Sequence, residues 1–241
     1  ANLSARVLVG GVAGTPNAGV VVNGTANARV LIRAVGPALG AFGVTDRLAA
    51  PVLDLARNGS LVRSNGAWLA SDAATFASVG AFALPAGSRD AALVMNLSNG
   101  NTNAMVRAVD GGNGVALLEA YDAATASETG RLSGLSMRAR RDWLGVLIGG
   151  LNVQGEGTLN LLLRAVGPGL VQFGVGDALT DPQITLYRGS TVFASNDDWS
   201  TGSNSTALQS AAASVGDFAL TAGSKDAALL TSLPAGSYTI W

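Results

Sequence analysis

The chain has 241 residues, of which 48% are hydrophobic and 13% charged, and its formal net charge is −1. This length suits two domains of ordinary size, and the near-neutral charge argues against nucleic acid as a partner, which would need a basic surface. No apolar run approaches the ~20 residues of a membrane-spanning helix, so we expect no membrane insertion. Cysteine and histidine are absent, which excludes disulfides, thiolate or imidazole metal sites and the histidine-based catalytic triads.

Short apolar segments, bounded by glycine, proline, asparagine or aspartate, follow one another through the first half of the chain. Residues 71–79, followed by a glycine, predict a short helix instead of a strand. Residues 110–114 (DGGNG) predict a tight turn that makes a hairpin of the strands on either side. The predicted strands are Val7–Val9, Val20–Val22, Arg29–Val35, Val52–Leu55, Ala91–Leu97, Ala104–Val109 and Val115–Tyr121.

The second half of the chain repeats the first. RAVGPALGAFGV at residues 33–44 returns as RAVGPGLVQFGV at 164–175, and AGSRDAAL at 86–93 returns as AGSKDAAL at 222–229. A counterpart helix is predicted over residues 203–215. The sequence therefore predicts an all-β protein of two tandem β-sandwich repeats, jelly-roll or Ig-like, each with one short helix.

The predicted repeats occupy residues 1–125 and 126–241, with a small and polar linker at 122–134. After Met105 the first repeat continues with VRAVDGGNGVALLEAYD, and this hairpin strand has no counterpart in the second repeat. An unpaired sheet edge is then expected at residues 238–241, and exposed edges favour pairing with another chain. Two explanations stay open: the natural chain continues with a similar hairpin, or a neighbouring subunit supplies the strand.

The second explanation predicts a head-to-tail contact, because one copy's N-terminal strand would add to the next copy's second repeat. Such a contact generates a ring or a filament. The residues predicted to take part are Asn2, Leu3, Val7 and Val9 of the donor and Tyr238, Ile240 and Trp241 of the acceptor.

One loop, SNDDW at residues 195–199, suggests a ligand. Asn196, Asp197 and Asp198 supply the hard oxygen ligands that Ca²⁺ prefers, although a polar turn without metal explains the same residues. The first repeat has NGAW at residues 65–68, without carboxylates, so any Ca²⁺ would bind the second repeat alone. No other cofactor is expected, and no residue pattern predicts an enzyme.

The segments ITLYRGSTVFASNDDW, LPAGSYTIW and GGNGVALLEAYD resemble bacterial secreted β-sandwich repeats, similar to pre-peptidase C-terminal domains and to tandem repeats of large surface proteins. The resemblance implies a non-catalytic protein that works outside the cell or on its surface. We expect a structural subunit of an extracellular filament or surface assembly whose partners are copies of itself. The alternative is a carbohydrate- or surface-binding adhesin module of a larger secreted protein, with a cell-surface glycan as partner.

Overall fold

The structure is a computed structural model that describes residues 2–11, 14–125, 129–140 and 146–241. The chain divides into two compact units, Ala1–Gly149 and Gly150–Trp241. Most of the regular structure is β-strand, which confirms the predicted all-β class. In the described ranges, no helix is long and apolar enough to cross a membrane.

The strands of the first unit form two antiparallel sheets. One sheet has the strand order β1-β8-β3-β6, and the other has the order β5-β4-β7-β2-β9. The described strands of this unit are β1 (Asn2–Val9), β2 (Asn17–Asn23), β3 (Ala28–Val35), β4 (Pro51–Arg57), β5 (Ser60–Asn65), β6 (Ala91–Leu97), β7 (Gly100–Ala108), β8 (Gly114–Asp122) and β9 (Arg131–Arg138).

A single apolar core lies between these sheets and makes the first unit a β-sandwich. Alternate residues of each strand point inward, because successive side chains of a strand face opposite sides. Val20, Ile32, Leu53 and Leu118 come from four different strands and are fully buried in this core. A second cluster covers the outer face of β3, where helix α1 (Ala73–Ser78) packs through Phe76. The predicted sandwich with one short helix is therefore confirmed.

The second unit has fewer and longer strands than the first. Its strands are hydrogen-bonded neighbours in the order β12-β11-β13-β10, and its short helix is α2. Its core contains Leu151, Leu186, Leu233 and Tyr238. The elements are β10 (Gly149–Ala165), β11 (Ile184–Arg188), β12 (Thr191–Asn196), α2 (Ser205–Ser214) and β13 (Ala227–Ile240).

By sequence correspondence, β10 spans the positions of β2 and β3, and β13 spans those of β6 and β7. Gly24 of the first unit corresponds to Gly155, and Gly100 corresponds to Gly236; all four have positive φ. Glycine adopts this conformation without a steric penalty. In the first unit the strands are interrupted at these bends, whereas in the second unit they continue through them.

The predicted hairpin after residue 104 is wrong. β7 pairs with β2 and β4, while β8 pairs with β1 and β3 in the other sheet. The turn at residues 109–113 therefore crosses from one sheet to the other. The physical reason is that β8 is buried along most of its length, as suits a central strand with covered faces.

The compact units divide at Gly149 instead of the predicted residue 125. β9 pairs with β2 of the first unit over seven residues, and its Leu132, Leu135 and Met137 pack against the first core. Residues 131–134, predicted as linker, thus belong to a strand. Residues 126–128 of the predicted linker lie outside the described part of the chain.

Candidate functional site

The repeated RAVGP motif builds the same corner in both units. Pro37 and Pro168 each begin a short 3₁₀ helix, Pro37–Phe42 and Pro168–Phe173, because the fixed φ of proline suits a first helical position. The preceding glycines, Gly36 and Gly167, press against neighbouring backbone. The motif therefore has a structural role that explains its presence in both repeats.

A buried aspartate holds each of these corners. Asp90 Oδ1 accepts hydrogen bonds from the backbone N–H groups of Gly36 (2.8 Å) and Ala38 (3.3 Å). Asp226 Oδ1 accepts the equivalent bonds from Gly167 (2.8 Å) and Gly169 (3.1 Å). Each carboxylate oxygen thus supplies the acceptor for two backbone N–H groups of its corner. These aspartates are framework residues.

The acidic loop of the second unit does bring carboxylates together. Ligand oxygens of Asp181, Asp197 and Asp198 lie within 4.8 Å of one another. Lys225 joins the cluster, since its Nζ donates to Asp198 Oδ2 at 2.8 Å. This hydrogen bond and the negative charge of Asp198 raise the pKa of Lys225. The corresponding positions in the first unit are Ala50, Gly66 and Ala67, so the cluster belongs to the second unit alone.

Asn196, predicted beside the two aspartates as a metal ligand, has a different set of contacts. Its Oδ1 accepts from the backbone N–H of Ala228 at 2.9 Å. The corresponding Asn65 donates through Nδ2 to the carbonyl of Ala92 at 2.7 Å. Both asparagines therefore tie a loop to the neighbouring strand. The carboxylates fit a hard divalent cation, but Lys225 already supplies a positive charge there, and calcium binding stays a prediction.

The predicted donor strand is engaged within its own unit. All eight residues of β1 are in register with β8, from Asn2 opposite Tyr121 to Val9 opposite Gly114. Val7 and Val9 are buried in the first core, and Leu3 is half-buried opposite Ala120. This segment is therefore already part of a sheet of its own chain.

The predicted acceptor edge at residues 238–241 is also paired. Ile240 lies opposite Leu186, and the backbone of Trp241 exchanges two 2.9 Å hydrogen bonds with Thr185. Tyr238 is buried and donates its O–H to the carbonyl of Pro234. These residues correspond to β7, and β8 pairs with β3 instead of β7.

In the first unit, β8 covers a buried arginine. Arg33, fully inaccessible to solvent, donates through Nε to Glu119 Oε2 (2.7 Å) and through Nη1 to the carbonyl of Phe82 (2.6 Å). Tyr121 donates its O–H to the other oxygen of Glu119 at 2.7 Å. Burial and the charge of Glu119 raise the pKa of Tyr121. The rings of Phe76 and Phe82 lie 5.0 and 4.5 Å from the guanidinium carbon.

The corresponding arginine of the second unit has fewer hydrogen-bond partners among the described residues. Arg164 stacks on Phe218 at 4.3 Å, and its Nη1 lies 2.7 Å from a carboxylate oxygen of Asp217. Its side chain is 7% exposed and that of Asp217 is 44% exposed. Nε and Nη2 have no hydrogen-bond acceptor within the described ranges of the chain.

A small pocket opens beside Arg164. The pocket exists because Ala212 of α2 occupies the position of Phe76 in α1. The second unit therefore has no aromatic ring at this position to cover the guanidinium. The pocket is mostly apolar and is lined by Leu162, Arg164, Trp199, Leu208, Ala212 and Leu220, among others. It therefore combines apolar walls with buried, unpaired N–H donors.

No protein-family model matches the chain. No curated protein matches it either. A solved structure described as PNGF-II aligns over 98% of this chain and 52% of its own, with 14% identity and a TM-score of 0.20. The chain thus spans about half the length of that protein.

Proposed function

We propose that the protein is a non-catalytic structural subunit of an extracellular filament or surface assembly. Buried charged side chains in its two units have structural contacts. Asp90 and Asp226 accept hydrogen bonds from backbone N–H groups at the corners, and Arg33 forms an ion pair with Glu119. Low charge and abundant glycine, as in secreted bacterial repeat proteins that the sequence resembles, also support this proposal. The proposed location is outside the cell or on its surface.

The observation that carries the proposal is the difference between Arg33 and Arg164. Arg33 lies opposite a carboxylate on the neighbouring strand, whereas its counterpart has two N–H donors with no acceptor among the described residues, beside a small pocket. Addition of a strand to a sheet is a common mode of association. We propose that neighbouring subunits join at this position of the second unit and that the neighbours are copies of the same chain.

The test is self-association of the purified chain. Light scattering across a wide range of concentrations should show growing oligomers, and electron microscopy should show filaments or arrays. Arg164→Ala should shift association to higher concentration. Lys225→Ala, which removes an exposed cation from the same unit, should leave association unchanged. A chain that stays monomeric at all concentrations would contradict the proposal of a homopolymer.

One observation favours the alternative, a glycan-binding module. The side chain of Trp241 is 51% exposed and lies against Tyr187, with ring centroids 5.2 Å apart. Exposed aromatic faces of this kind can stack on sugar rings. Binding to a panel of surface polysaccharides, lost in Trp241→Ala and retained in Arg164→Ala, would support this alternative over the structural subunit.

A further inference from the structure

We propose that the pocket beside Arg164 is a binding site for a small organic carboxylate. The carboxylate group would lie against the guanidinium, and a single ring or short alkyl chain would lie against the apolar walls. The residues that line the pocket belong to the second unit. This site goes beyond the proposed function, because a ligand can bind Arg164 whether or not subunits join there.

Arg164 supplies the group that binds the anion. Its side chain is 7% exposed, and its Nε and Nη2 are buried without an acceptor among the described residues. These two nitrogens share one edge of the planar guanidinium, while Asp217 contacts Nη1. Buried N–H groups that have lost water without gaining acceptors are costly. An anion that accepts hydrogen bonds from Nε and Nη2 would remove this cost.

In the first unit, the same edge of the corresponding arginine holds a carboxylate. Glu119 Oε2 lies 2.7 Å from Nε and 2.5 Å from Nη2 of Arg33. The ring of Phe76 lies 5.0 Å from the carbon of this guanidinium. The second unit has Ala212 at the position of Phe76, and this edge of its arginine has no carboxylate among the described residues. A ligand that joins a carboxylate to a small apolar group would supply both partners.

The walls of the pocket favour a carboxylate over other anions. Two N–H groups on one guanidinium edge match the two oxygens of a carboxylate. Leu162, Leu208 and Leu220 present apolar side chains, and Nε1 of Trp199 already donates to the carbonyl of Thr221. These groups offer no further donors to the additional oxygens of a phosphate or sulfate. The apolar side chains therefore suit the hydrocarbon part of a carboxylate ligand.

The size of the pocket limits this hydrocarbon part. The pocket contains about 260 Å³ of space, part of which is open to solvent. Small-molecule sites commonly have volumes of about 300–1,000 Å³, so a small ligand is expected here. The side chain that Ala212 lacks relative to Phe76 is a single aromatic ring. Benzoate, which joins one such ring to one carboxylate, is therefore the probe that fits the pocket.

Titration of the full chain with benzoate tests the inference directly. Benzoate should bind saturably by isothermal titration calorimetry, and it should raise the melting temperature of the second unit because it binds the folded form. Benzamide keeps the shape without the charge and should bind at least about tenfold more weakly. Arg164→Ala should cause a similar loss of benzoate binding, and Lys225→Ala should cause none.

Ala212→Phe provides an independent measurement if Arg164→Ala fails to fold. Its ring would fill the apolar space and should abolish benzoate binding. Ala213→Phe, on the exposed side of the same helix, should retain binding.

Three results would overturn the inference: no saturable binding, equal binding of benzoate and benzamide, or unchanged benzoate binding in folded Arg164→Ala or Ala212→Phe protein. Self-association of a chain that does not bind benzoate would leave the proposed function standing and refute the carboxylate site. Benzoate binding by a chain that stays monomeric, lost in Arg164→Ala, would support the carboxylate site and contradict the proposed function.

Discussion

Arg33 and Glu119 lie directly opposite each other on β3 and β8, and both side chains are buried. Their ion pair has two contacts to one carboxylate oxygen, at 2.7 Å from Nε and 2.5 Å from Nη2. Tyr121 donates to the second oxygen. The pair fixes the register of two central strands, and its removal should destabilise the whole first unit.

Glu119→Gln should therefore destabilise the first unit strongly. The substitution keeps the shape but leaves the charge of Arg33 buried without a counter-ion, which typically costs about 3–5 kcal/mol. Denaturant unfolding of the full chain should show a first-unit transition at markedly lower midpoint. Replacing Arg33 and Glu119 together by leucine should cost less than the single change, because no charge is then left unpaired.

Asp54→Asn is the matched control for this experiment. Asp54 pairs with Arg107 at 2.6 Å across the neighbouring strands β4 and β7, but Arg107 is half exposed. Exposed pairs contribute at most about 1 kcal/mol. If the two single substitutions cost the same free energy of unfolding, burial does not set the strength of the Arg33–Glu119 pair.

Gly167→Ala tests the corner built by the repeated motif. A Cβ at Gly167 would lie 2.1 Å from the carbonyl oxygen of Leu179, and one at Gly36 would lie 2.2 Å from that of Leu48. Each substitution should destabilise its own unit by about 1–3 kcal/mol or more, because backbone must move. Gly176→Ala is the control, since its Cβ would meet nothing within 4 Å. Equal melting temperatures for Gly167→Ala and Gly176→Ala would contradict this account.

The internal repeat allowed the sandwich fold and the helices to be predicted from the sequence. The predicted helix at residues 203–215 is α2 (Ser205–Ser214), because an Ala-rich run between polar residues and glycine has few alternatives. Strand partners were harder to predict. DGGNG suits a hairpin turn, yet β7 and β8 belong to different sheets, and local turn chemistry does not report which sheet a strand joins.

The site at Arg164 could be predicted only in part for the same reason. The sequence shows the repeated arginine, but its partner Glu119 is 86 residues away from Arg33 along the chain. Only the pairing of β3 with β8 reveals that this glutamate, and not a local carboxylate, neutralises the arginine. The acidic loop was easier to predict, because Asp197 and Asp198 are adjacent in the sequence. Asp181 and Lys225 come close to them only in the folded chain.

If the acidic loop at residues 195–199 binds calcium, the melting temperature of the protein should rise with calcium concentration. A cation that binds only the folded protein stabilises it by about 2.7 kcal/mol at one hundred times Kd. Replacement of Asp197 and Asp198 together by alanine should abolish the rise. Lys225→Ala should enlarge it, because the ammonium group competes for Asp198. Identical melting curves in chelator and in millimolar calcium would refute the site and leave the loop as a turn.

The last prediction concerns Ala212, which stands where the first unit has Phe76. In the first unit the Phe76 ring lies 5.0 Å from the Arg33 guanidinium and 5.8 Å from the Trp68 ring. In the second unit the corresponding space is the pocket between Arg164 and Trp199. Ala212→Phe should place a ring in this pocket and cover the guanidinium by a cation–π contact of about 0.5–2 kcal/mol.

Two measurements then separate pocket filling from simple overpacking. If the ring fits as Phe76 does, the melting temperature of the second unit should rise, while self-association should weaken. Ala213→Phe, on the solvent-exposed side of the same helix, is the matched control and should leave self-association unchanged. A fall in melting temperature would mean that the pocket is too tight for a ring. Unweakened self-association of a folded Ala212→Phe protein would mean that the subunits do not join at this pocket.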